Sequence, residues 1–577
     1  MRWRPEQRWL GVGIGVLAVA LGAALTLRPY DSLEALTFGV AAALVVTGVG
    51  ELLESRHEAH PWSSRVLGVV LIVTGALIVA LPGLSASSVA LVAGAGLAVA
   101  GVARLVAVAR RQVEAVEWWI ALLGGIACLV LGVLAIGWPD VTTLAVALLV
   151  GPVVVILGIR QIVLAWRYAH RDERRRAPGW LRLGGAVAAL VLAGALAAAS
   201  AVIHEEEPRA SAFYDTPDAL PGRPGQLIRD QRTDDGVPDG QQGWRILYTT
   251  TDRTGKIVPA SGLVIAAEDP SGPQPVLLWD HGTTGVARDC APSVLPDPFK
   301  AGGMPVVPEQ AAARGWAVVA PDYPGLGAKG AHEYLVGVPE GRSALDAVRA
   351  ARQLRGVELG PKTVVWGHSQ GGGAALWTGI EAARYAPDVP LAGVAALAPA
   401  SDLPGLVDVV QDNSAGRLFA TFAVFGYAAA YRDVRVREYI RPSALPAVRG
   451  IASRCLAEPA ILLSLPSVLA DDNIFRRDLT SGPLGRRLRQ NVPRQPTRIP
   501  TLIAQGADDE LVVAGTQRRF AARLCRDGQP LQYREFAGRD HLSVVADDSP
   551  LIPELVGWTE SRFAGAPMRD ACPTPER

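Results

Sequence analysis

The chain has 577 residues, of which 50% are hydrophobic and 19% are charged, and its formal net charge is +1. A net charge this close to zero gives no reason to expect a nucleic acid or an acidic polymer as a partner. The apolar content excludes a disordered chain, and five cysteines are too few for a small disulfide-rich scaffold. Because the excess of apolar residues precedes residue 204, composition divides the chain into a membrane part and a soluble part.

The N-terminal part contains seven apolar runs, each about as long as a helix that spans a hydrocarbon core. A cleaved signal peptide is the alternative for the first run, but no small-residue cleavage site precedes a soluble region, and six runs follow. The sequence therefore predicts an α-helical multi-pass membrane bundle over residues 1–203. The runs are 10–27, 35–53, 66–81, 87–108, 118–137, 141–166 and 181–203.

Six of the seven predicted helices form three copies of one pattern, which is visible when Pro29, Pro82 and Pro139 are superposed. In each copy, glycine stands 14 and seven residues before the proline and 19 residues after it. Glycines with seven-residue spacing lie near one helix face and allow helix backbones to approach closely. The pattern thus predicts three helical hairpins packed through glycine, followed by one further helix. The repeated glycines are Gly15, Gly68, Gly125, Gly22, Gly75, Gly132, Gly48, Gly101 and Gly158.

The glycine and proline pattern over residues 8–168 resembles the acid-resistance membrane proteins called HdeD-like. This resemblance implies a stress-related membrane role. A polar residue follows each proline by 22 positions, as Glu51, Arg104 or Gln161, and Arg160 precedes the last of them. These side chains either mark a polar pathway through the bundle or snorkel to the interface, which their positions near helix ends favour.

Arginine in the short connections predicts the orientation of the bundle, because cytoplasmic loops carry the excess of basic residues. The connections alternate between the two sides of the membrane, and those on one side contain only Arg28. We therefore expect the N-terminus inside the cell, and seven crossings place everything after Ile203 outside. The arginines of the inner side are Arg2, Arg4, Arg8, Arg56, Arg65, Arg110, Arg111, Arg167, Arg171, Arg174, Arg175, Arg176 and Arg182.

After a Pro- and Gly-rich linker over residues 204–242, short apolar runs alternate with helical stretches. Such alternation is typical of a mostly parallel sheet covered by helices on both faces. The sequence therefore predicts an α/β domain over residues 243–577. The predicted strands are 262–267, 275–280, 316–320, 363–366, 393–398, 500–504 and 531–536.

The sequence Gly-His-Ser-Gln-Gly at residues 367–371 follows a predicted strand and precedes an Ala-rich helical stretch. A serine on so sharp a strand-to-helix turn is presented at the carboxyl edge of the sheet, where small flanking residues avoid clashes. Ser369 is therefore the candidate nucleophile rather than an ordinary turn serine.

A serine nucleophile needs a base and an orienting acid, and in this topology they follow in the order Ser, acid, His. His541 is the only histidine after Ser369, and it lies in a loop directly after the last predicted strand. Two adjacent aspartates, Asp508 and Asp509, follow the strand before that. We expect Asp509 to orient the His541 imidazole, with Asp508 as the alternative.

The oxyanion that develops during acyl transfer needs hydrogen-bond donors. The backbone N–H of Gln370, directly after the nucleophile, is one candidate. The run His-Gly-Thr-Thr-Gly at residues 281–285 ends a predicted strand, and it offers a second N–H from Thr283 or its neighbour.

These segments together resemble the α/β-hydrolase superfamily and, within it, the secretory lipase family related to fungal lipase A. The resemblance covers about residues 240–565 and implies ester hydrolysis, with Ser369 as nucleophile, Asp509 as orienting acid and His541 as base. This chain has His368 before the serine, where the fungal members commonly have a bulky residue, and its oxyanion loop also differs from theirs. The segments that carry the resemblance are 280–285, 290–293, 367–371, 506–509 and 540–542.

About a hundred residues separate two successive predicted strands, far more than one crossover helix needs. We interpret residues 402–496 of this stretch as a cap inserted over the site. Phe419, Phe422 and Phe425 are spaced as on one helix. They either pack the core of the cap or line a substrate-binding pocket for an acyl chain.

Four of the five cysteines lie in the predicted external domain, an even number as an oxidising compartment favours. Cys128 lies in a predicted helix. Of three possible pairings we choose Cys290 with Cys455, which would tie the oxyanion loop region to the cap. The second pair, Cys525 with Cys572, would pin the C-terminal tail.

The sequence contains no HExxH motif and no cysteine pair at zinc spacing, so we expect no metal site. Residues 325–330 match the glycine pattern of a dinucleotide-binding loop. The next helical stretch begins near residue 341, too far away to hold a pyrophosphate at its N-terminus. We therefore expect no cofactor.

The leading hypothesis is a membrane-anchored serine esterase or lipase that acts outside the cytoplasm on a lipid or a small ester. The same triad serves acyltransferases and peptidases, because fold and triad determine acyl transfer but not the acceptor. A hypothesis of another class is a stress-related membrane protein whose hydrolase domain is non-catalytic. The presence of Ser, Asp and His in the expected order disfavours that hypothesis.

Overall fold

The computed structural model describes most of the C-terminal half and four helices of the N-terminal part. The described residues are 62–80, 86–110, 115–137, 179–205, 208–412, 416–442, 444–457 and 474–573, with isolated positions at 16, 19, 23, 45, 48, 49, 52, 155 and 159. The chain divides into two compact units. The first comprises Met1–Glu207, Pro442–Gly450 and Leu462–Ile474, and the second comprises Pro208–Arg441, Ile451–Ile461 and Phe475–Arg577.

The helices described within Met1–Glu207 of the first unit coincide with apolar runs of the sequence. They are α1 Trp62–Ala80, α2 Ala86–Ala109, α3 Ala115–Gly137 and α4 Gly179–Glu205. Among the described residues, Leu91–Ala109 and Glu117–Gly137 are long and apolar enough to cross a membrane. The predicted helices 10–27, 35–53 and 141–166 lie outside the described residues, apart from isolated positions.

Glycines of the sequence repeat lie where α2 and α3 contact each other. A Cβ atom on Gly101 would be 2.8 Å from the carbonyl oxygen of Gly125, and one on Gly132 would be 2.6 Å from the backbone nitrogen of Ala98. Contacts this short leave no room for a side chain, so these positions require glycine. Close approach of helix backbones is how membrane helices gain packing contacts.

The second unit is built on one sheet, which within the described residues has nine strands. They are β1 Leu227–Thr233, β2 Gln241–Thr251, β3 Ile257–Ala267, β4 Gln274–Asp280, β5 Ala317–Pro321, β6 Leu359–His368, β7 Leu391–Leu397, β8 Thr501–Gly506 and β9 Leu531–Phe536. The sheet order is β1-β2-β3-β5-β4-β6-β7-β8-β9. The strands from β5 to β9 in this order are parallel, and β1, β2 and β3 form an antiparallel edge. All seven predicted strands are present, and the carboxyl ends of the parallel strands meet at one edge.

The segment 204–242, which we expected to be a linker, contains a strand of the sheet. This strand, β1, pairs with β2 in antiparallel register, for example Arg232 with Trp244. Its sequence is Leu-Ile-Arg-Asp-Gln-Arg-Thr, and most of its side chains are half-buried or exposed at the sheet edge. A strand that buries so little carries no clear apolar pattern, and a Pro- and Gly-containing turn follows it. The second unit therefore begins before residue 243.

Helices cover both faces of the sheet, because the parallel strands are apolar on both faces. In β4, Val276 and Leu278 belong to one hydrophobic core, whereas Leu277 and Trp279 belong to the core on the other face. The helices of this half are α5 Pro298–Ala301, α6 Val307–Ala312, α7 Gly337–Ala351, α8 Gln370–Tyr385, α9 Leu403–Asp412, α10 Gly416–Ala430, α11 Val436–Tyr439, α12 Leu445–Ala452, α13 Gly482–Gln490, α14 Ala514–Arg526 and α15 Leu551–Phe563. Residues of α7, α8 and α14 contribute to the first core, and residues of α5, α6 and α15 to the second.

Both predicted disulfides are present. Cys290 is bonded to Cys455 and Cys525 to Cys572, with Cα–Cα distances of 5.0 and 6.2 Å. The first bond links the loop after β4 to the segment between β7 and β8, and the second links α14 to the C-terminal tail. Cys128 in α3 is a free thiol.

Candidate active site

Ser369 occupies a sharp turn between β6 and α8. Its backbone angles are φ 58° and ψ −117°, a conformation that non-glycine residues rarely adopt. The turn requires glycine on either side: a Cβ atom on Gly371 would be 1.9 Å from the carbonyl oxygen of Asp280, and one on Gly367 would be 2.1 Å from that of Gly371. The Ser369 N–H donates to the carbonyl of Leu397 at the end of β7, at 2.9 Å. The hydroxyl is therefore held at the carboxyl edge of the sheet.

His541 lies in the loop after β9 and reaches the serine. Its Nε2 is 2.9 Å from Ser369 Oγ, and its Nδ1 is 2.8 Å from Asp509 Oδ2. Because Nδ1 faces a carboxylate, it carries the hydrogen and donates it to Asp509. Nε2 then has a lone pair that accepts the hydrogen bond from the serine hydroxyl. The structure thus brings the three predicted residues into one hydrogen-bonded chain.

Asp509 is buried, whereas the neighbouring candidate Asp508 is exposed. Asp509 Oδ1 accepts hydrogen bonds from the backbone N–H groups of Leu511 and Val512, at 2.9 and 2.8 Å. Its Oδ2 accepts one from the side-chain amide of Gln505 at 2.9 Å, in addition to the imidazole. Both oxygens are therefore fixed in place, and the geometry favours Asp509 over Asp508 as the partner of the imidazole.

His368, which precedes the serine, supports the loop that carries His541. Its Nε2 donates a hydrogen bond to the carbonyl oxygen of His541 at 2.9 Å, and the two rings lie 4.9 Å apart between centroids. Burial lowers the pKa of His368 to about 3, so the ring is neutral and its Nε2 carries the hydrogen. Sequence reasoning missed this contact, because nothing local to residue 368 indicates which distant loop it meets.

Gln370 is the first residue of α8, where backbone N–H groups have no acceptor within the helix. This places a donor directly beside Ser369. Thr283, the other predicted donor residue, does not line the pocket beside the serine. Its Oγ1 lies 2.8 Å from the hydroxyl of Tyr334, which does line that pocket.

The loop that contains Thr283 is fastened to the segment between β7 and β8. The backbone N–H of Leu456 donates to the carbonyl of Thr284 at 2.8 Å. The Cys290–Cys455 bond joins the same two segments. The predicted oxyanion loop therefore has a covalent and a hydrogen-bonded attachment to the predicted cap stretch.

An apolar pocket opens onto Ser369 and His541. Phe419 lines it, together with Ala423 one helical turn later in α10. Phe422 and Phe425, which the sequence also predicted at the substrate, do not line this pocket. Phe422 instead packs edge-on against Tyr334, with ring centroids 6.0 Å apart. The remaining lining residues are Leu335, Gln370, Ala400, Leu406, Val407, Val410, Leu511 and Val512.

Helix geometry explains why Phe425 does not reach the pocket. Residues four apart lie on the same face of a helix, so Phe419 and Ala423 share the face towards Ser369. Phe425 is six residues from Phe419 and therefore lies on a different face. The three phenylalanines lie on one helix, α10, as their spacing predicts, but the spacing does not identify the face of α10 that borders the pocket.

Two known families match this chain. The secretory lipase family matches residues 306–571. A short repeat of unknown function, DUF308, matches three times, over residues 13–65, 66–127 and 123–199. The three matches occupy the region in which the sequence predicts three copies of one hairpin.

Curated relatives of the chain include several fungal lipases. Lipase A of Moesziomyces aphidis is 24% identical over 390 residues, which cover 63% of this chain and 82% of the relative. Lipase 6 of Candida albicans is 24% identical over 397 residues, which cover 62% and 82%. A secreted triacylglycerol lipase of Malassezia globosa is 22% identical over 377 residues, which cover 61% and 77%.

Among solved structures, lipase A of Candida antarctica superposes with a TM-score of 0.56 at 22% identity, over 63% of this chain and 88% of that chain. This superposition shows the fold of the C-terminal part, which is the lipase-like α/β-hydrolase fold. Together with the family match, it confirms the resemblance to secretory lipases. The DUF308 repeats agree with the resemblance of the N-terminal part to HdeD-like proteins.

Proposed function

We propose that this chain, an ester hydrolase related to the secretory lipases, is a membrane-anchored serine hydrolase that cleaves carboxylic esters outside the cytoplasm. The observation that carries the proposal is the hydrogen-bonded chain from Ser369 Oγ through His541 to Asp509, with distances of 2.9 and 2.8 Å. Lipids or small esters are the proposed substrates, because one relative is a triacylglycerol lipase and the pocket at Ser369 is mostly apolar.

The reaction begins with attack of Ser369 Oγ on the ester carbonyl carbon. His541 Nε2 takes the hydroxyl proton, and Asp509 stabilises the resulting imidazolium through Nδ1. The oxyanion accepts hydrogen bonds from the Gln370 N–H and from the Thr283 loop. The imidazolium then protonates the leaving alcohol, and the acyl group stays on Ser369. Water, deprotonated by His541, attacks this acyl-enzyme and releases the acid.

In this proposal, residues 402–496 form a cap over the site, and the acyl chain lies against its apolar side chains. Leu406, Val407 and Val410 of α9 and Phe419 of α10 border the pocket that contains Ser369. Burying apolar surface of the substrate against these side chains supplies binding free energy without involving the reacting atoms. The cap thus selects the acyl group, while the triad acts on the ester bond.

The proposed anchor is the seven-helix bundle over residues 1–203, with the N-terminus inside the cell. Three matches to one short repeat and the arginine asymmetry of the connections support this arrangement. The two disulfides of the C-terminal half support an external location for that half, since such bonds persist in oxidising compartments.

A panel of p-nitrophenyl esters from acetate to palmitate, assayed with the full chain in detergent, tests the activity. We expect hydrolysis of esters and labelling by a fluorophosphonate probe, because that probe reacts only with an activated serine. Preferential transfer to an added alcohol or amine would instead support an acyltransferase, and cleavage of peptides alone a peptidase. Absence of both turnover and labelling would contradict the proposal and favour the non-catalytic hypothesis.

A reporter that is active only outside the cytoplasm, fused after residue 210, tests the topology. We expect activity from this fusion, because seven crossings from a cytoplasmic N-terminus end on the external side. The matched control is a fusion after residue 172, in the arginine-rich connection that we place inside. A cytoplasmic location of the residue 210 fusion would contradict the orientation but not the enzymatic proposal.

A further inference from the structure

Behind the nucleophile turn, the side chain of Gln370 is buried in a polar cluster that the proposed reaction does not use. Its Nε2 donates to Glu340 Oε1 at 2.7 Å and to His332 Nε2 at 3.1 Å. Glu340 belongs to α7, and His332 belongs to the loop between β5 and α7. All three side chains are at most 3% exposed. Two elements outside the triad therefore hold the side chain of Gln370, whose backbone N–H is the proposed oxyanion donor.

The direction of each hydrogen bond follows from the network. His332 Nδ1 lies 3.1 Å from the carbonyl oxygen of Pro324, so it carries the ring hydrogen and donates it. Burial lowers the pKa of His332 to about 3, so the ring is neutral and its Nε2 can only accept. The Gln370 atom facing Nε2 must then be the amide nitrogen. That nitrogen also donates to Glu340, and both of its hydrogens are used.

Glu340 also fixes a wall of the pocket. Its Oε1 accepts the backbone N–H of Leu335 at 3.1 Å, in addition to the Gln370 amide. Leu335 has a positive φ of 59°, an unfavourable conformation for a leucine, and it lines the pocket beside Ser369. One carboxyl oxygen of Glu340 thus connects Gln370 to Leu335, a pocket residue in a strained backbone conformation.

We propose that Glu340 is a positioning residue, which with His332 clamps the Gln370 side chain and thereby aims the Gln370 N–H at the oxyanion. The inference rests on the proposed hydrolase function. Its physical basis is preorganisation: a donor stabilises a transition state most when it needs no reorientation during the reaction. A displaced N–H stabilises the transition state less, whereas binding of the ester in its ground state changes little. Its displacement therefore lowers kcat rather than raising KM.

The charge of Glu340 should also matter for the oxyanion. Burial raises the pKa of Glu340 to about 8, against the opposing effect of its hydrogen bonds from Gln370 and Leu335. The other titratable groups that face it are Asp280 of β4, Glu333, Tyr334 and His332 of the adjoining loop, Tyr323 after β5 and Tyr427 of α10. Because the pKa is raised, the carboxyl is neutral below about pH 8 and anionic above it. A negative charge on Glu340, beside Gln370, repels the negative charge that develops on the oxyanion and so raises the energy of the transition state.

The deciding variant is Glu340→Gln, which keeps an acceptor oxygen for Gln370 and Leu335 but cannot ionise. With the full chain in detergent and a soluble short-chain ester in a pH-stat, we expect wild-type kcat to fall as pH rises through about 8. Glu340→Gln should retain kcat within about threefold at about pH 7 and lose this alkaline decline. An unchanged alkaline decline in Glu340→Gln would overturn the role of its charge.

Removing the clamp tests positioning itself. Glu340→Ala and Gln370→Ala, which keeps the backbone N–H, should each lower kcat about 10- to 100-fold with little change in KM. The double variant should be no slower than the slower single variant, because both changes break the same contact. Additive losses would overturn the clamp. If Glu340→Ala fails to fold, Gln370→Ala still decides the clamp, because it removes the same hydrogen bond from the other side and should lower kcat with little change in KM.

Glu381 provides the matched control, since it is an equally buried glutamate in α8 that pairs with Arg342 rather than with Gln370. Glu381→Gln should alter thermal stability but leave the alkaline decline intact. Labelling by a fluorophosphonate probe separates the two proposals. If wild type and Ser369→Ala are labelled equally, the proposed function itself is wrong. If labelling depends on Ser369 but the losses of Glu340→Ala and Gln370→Ala are additive, only the clamp is refuted.

Discussion

Replacing Ser369 by alanine is expected to lower ester turnover by about 10⁴- to 10⁶-fold, because the variant has no oxygen to form the acyl-enzyme. The fold should persist, since the change deletes one hydroxyl, which bonds to the His541 imidazole at 2.9 Å. Alanine can also occupy the turn, because the backbone contacts of residue 369 run through its N–H and carbonyl.

Turnover of a p-nitrophenyl ester and the thermal unfolding temperature, measured on the same preparation, check this expectation. Ser561→Ala is a suitable control, because that hydroxyl donates to the carbonyl of Gly557 in its own helix, α15. The control should keep full turnover. If Ser369→Ala keeps more than about a tenth of wild-type turnover, the serine-hydrolase proposal is wrong, since loss of a nucleophile costs far more.

The hydrogen-bonded arrangement of Ser369, His541 and Asp509 could be predicted from the sequence because the signals of these residues are local. The nucleophile turn is a short strand, two glycines and a helix in succession, and sterics permit few other residues there. His541 and Asp509 each follow a strand whose apolar run is plain in the sequence. A parallel sheet then brings the ends of these strands to one edge without any further information.

Other features could not be predicted from the sequence, because they depend on contacts between distant segments. β1 is polar and lies at the sheet edge, so only its pairing with β2 reveals it. The pocket face of α10 depends on how that helix is docked, which spacing does not encode. His368 meets a loop that is 173 residues away along the chain, and its contact with the His541 carbonyl is visible only in the structure.

The buried polar cluster around Gln370 illustrates the same limit. Glu340 and His332 lie within segments that read as an ordinary helix and an ordinary loop. Their composition alone does not distinguish a buried acid from a solvated one. Only the packing of α7 against α8 shows that these side chains are excluded from water, where each unmade hydrogen bond would be costly.

Asp509→Asn is expected to lower turnover by about 10³- to 10⁴-fold, less than Ser369→Ala, and Asp508→Asn should have little effect. In Asp509→Asn, the N–H groups of Leu511 and Val512 would retain the amide oxygen, which turns the amide NH₂ group towards the imidazole. His541 Nδ1 must then accept instead of donate, so the hydrogen moves to Nε2 and the ring can no longer take the serine proton.

The pair of adjacent aspartates makes this a controlled comparison, because Asp508 is exposed, whereas Asp509 contacts the imidazole. Steady-state kcat of both variants with one short-chain ester measures the difference. The nucleophile is intact in Asp509→Asn, so slow labelling by a fluorophosphonate probe should remain detectable, unlike in Ser369→Ala. If Asp508→Asn is the damaging change and Asp509→Asn is silent, the hydrolase mechanism stands, and the acid that orients His541 is Asp508.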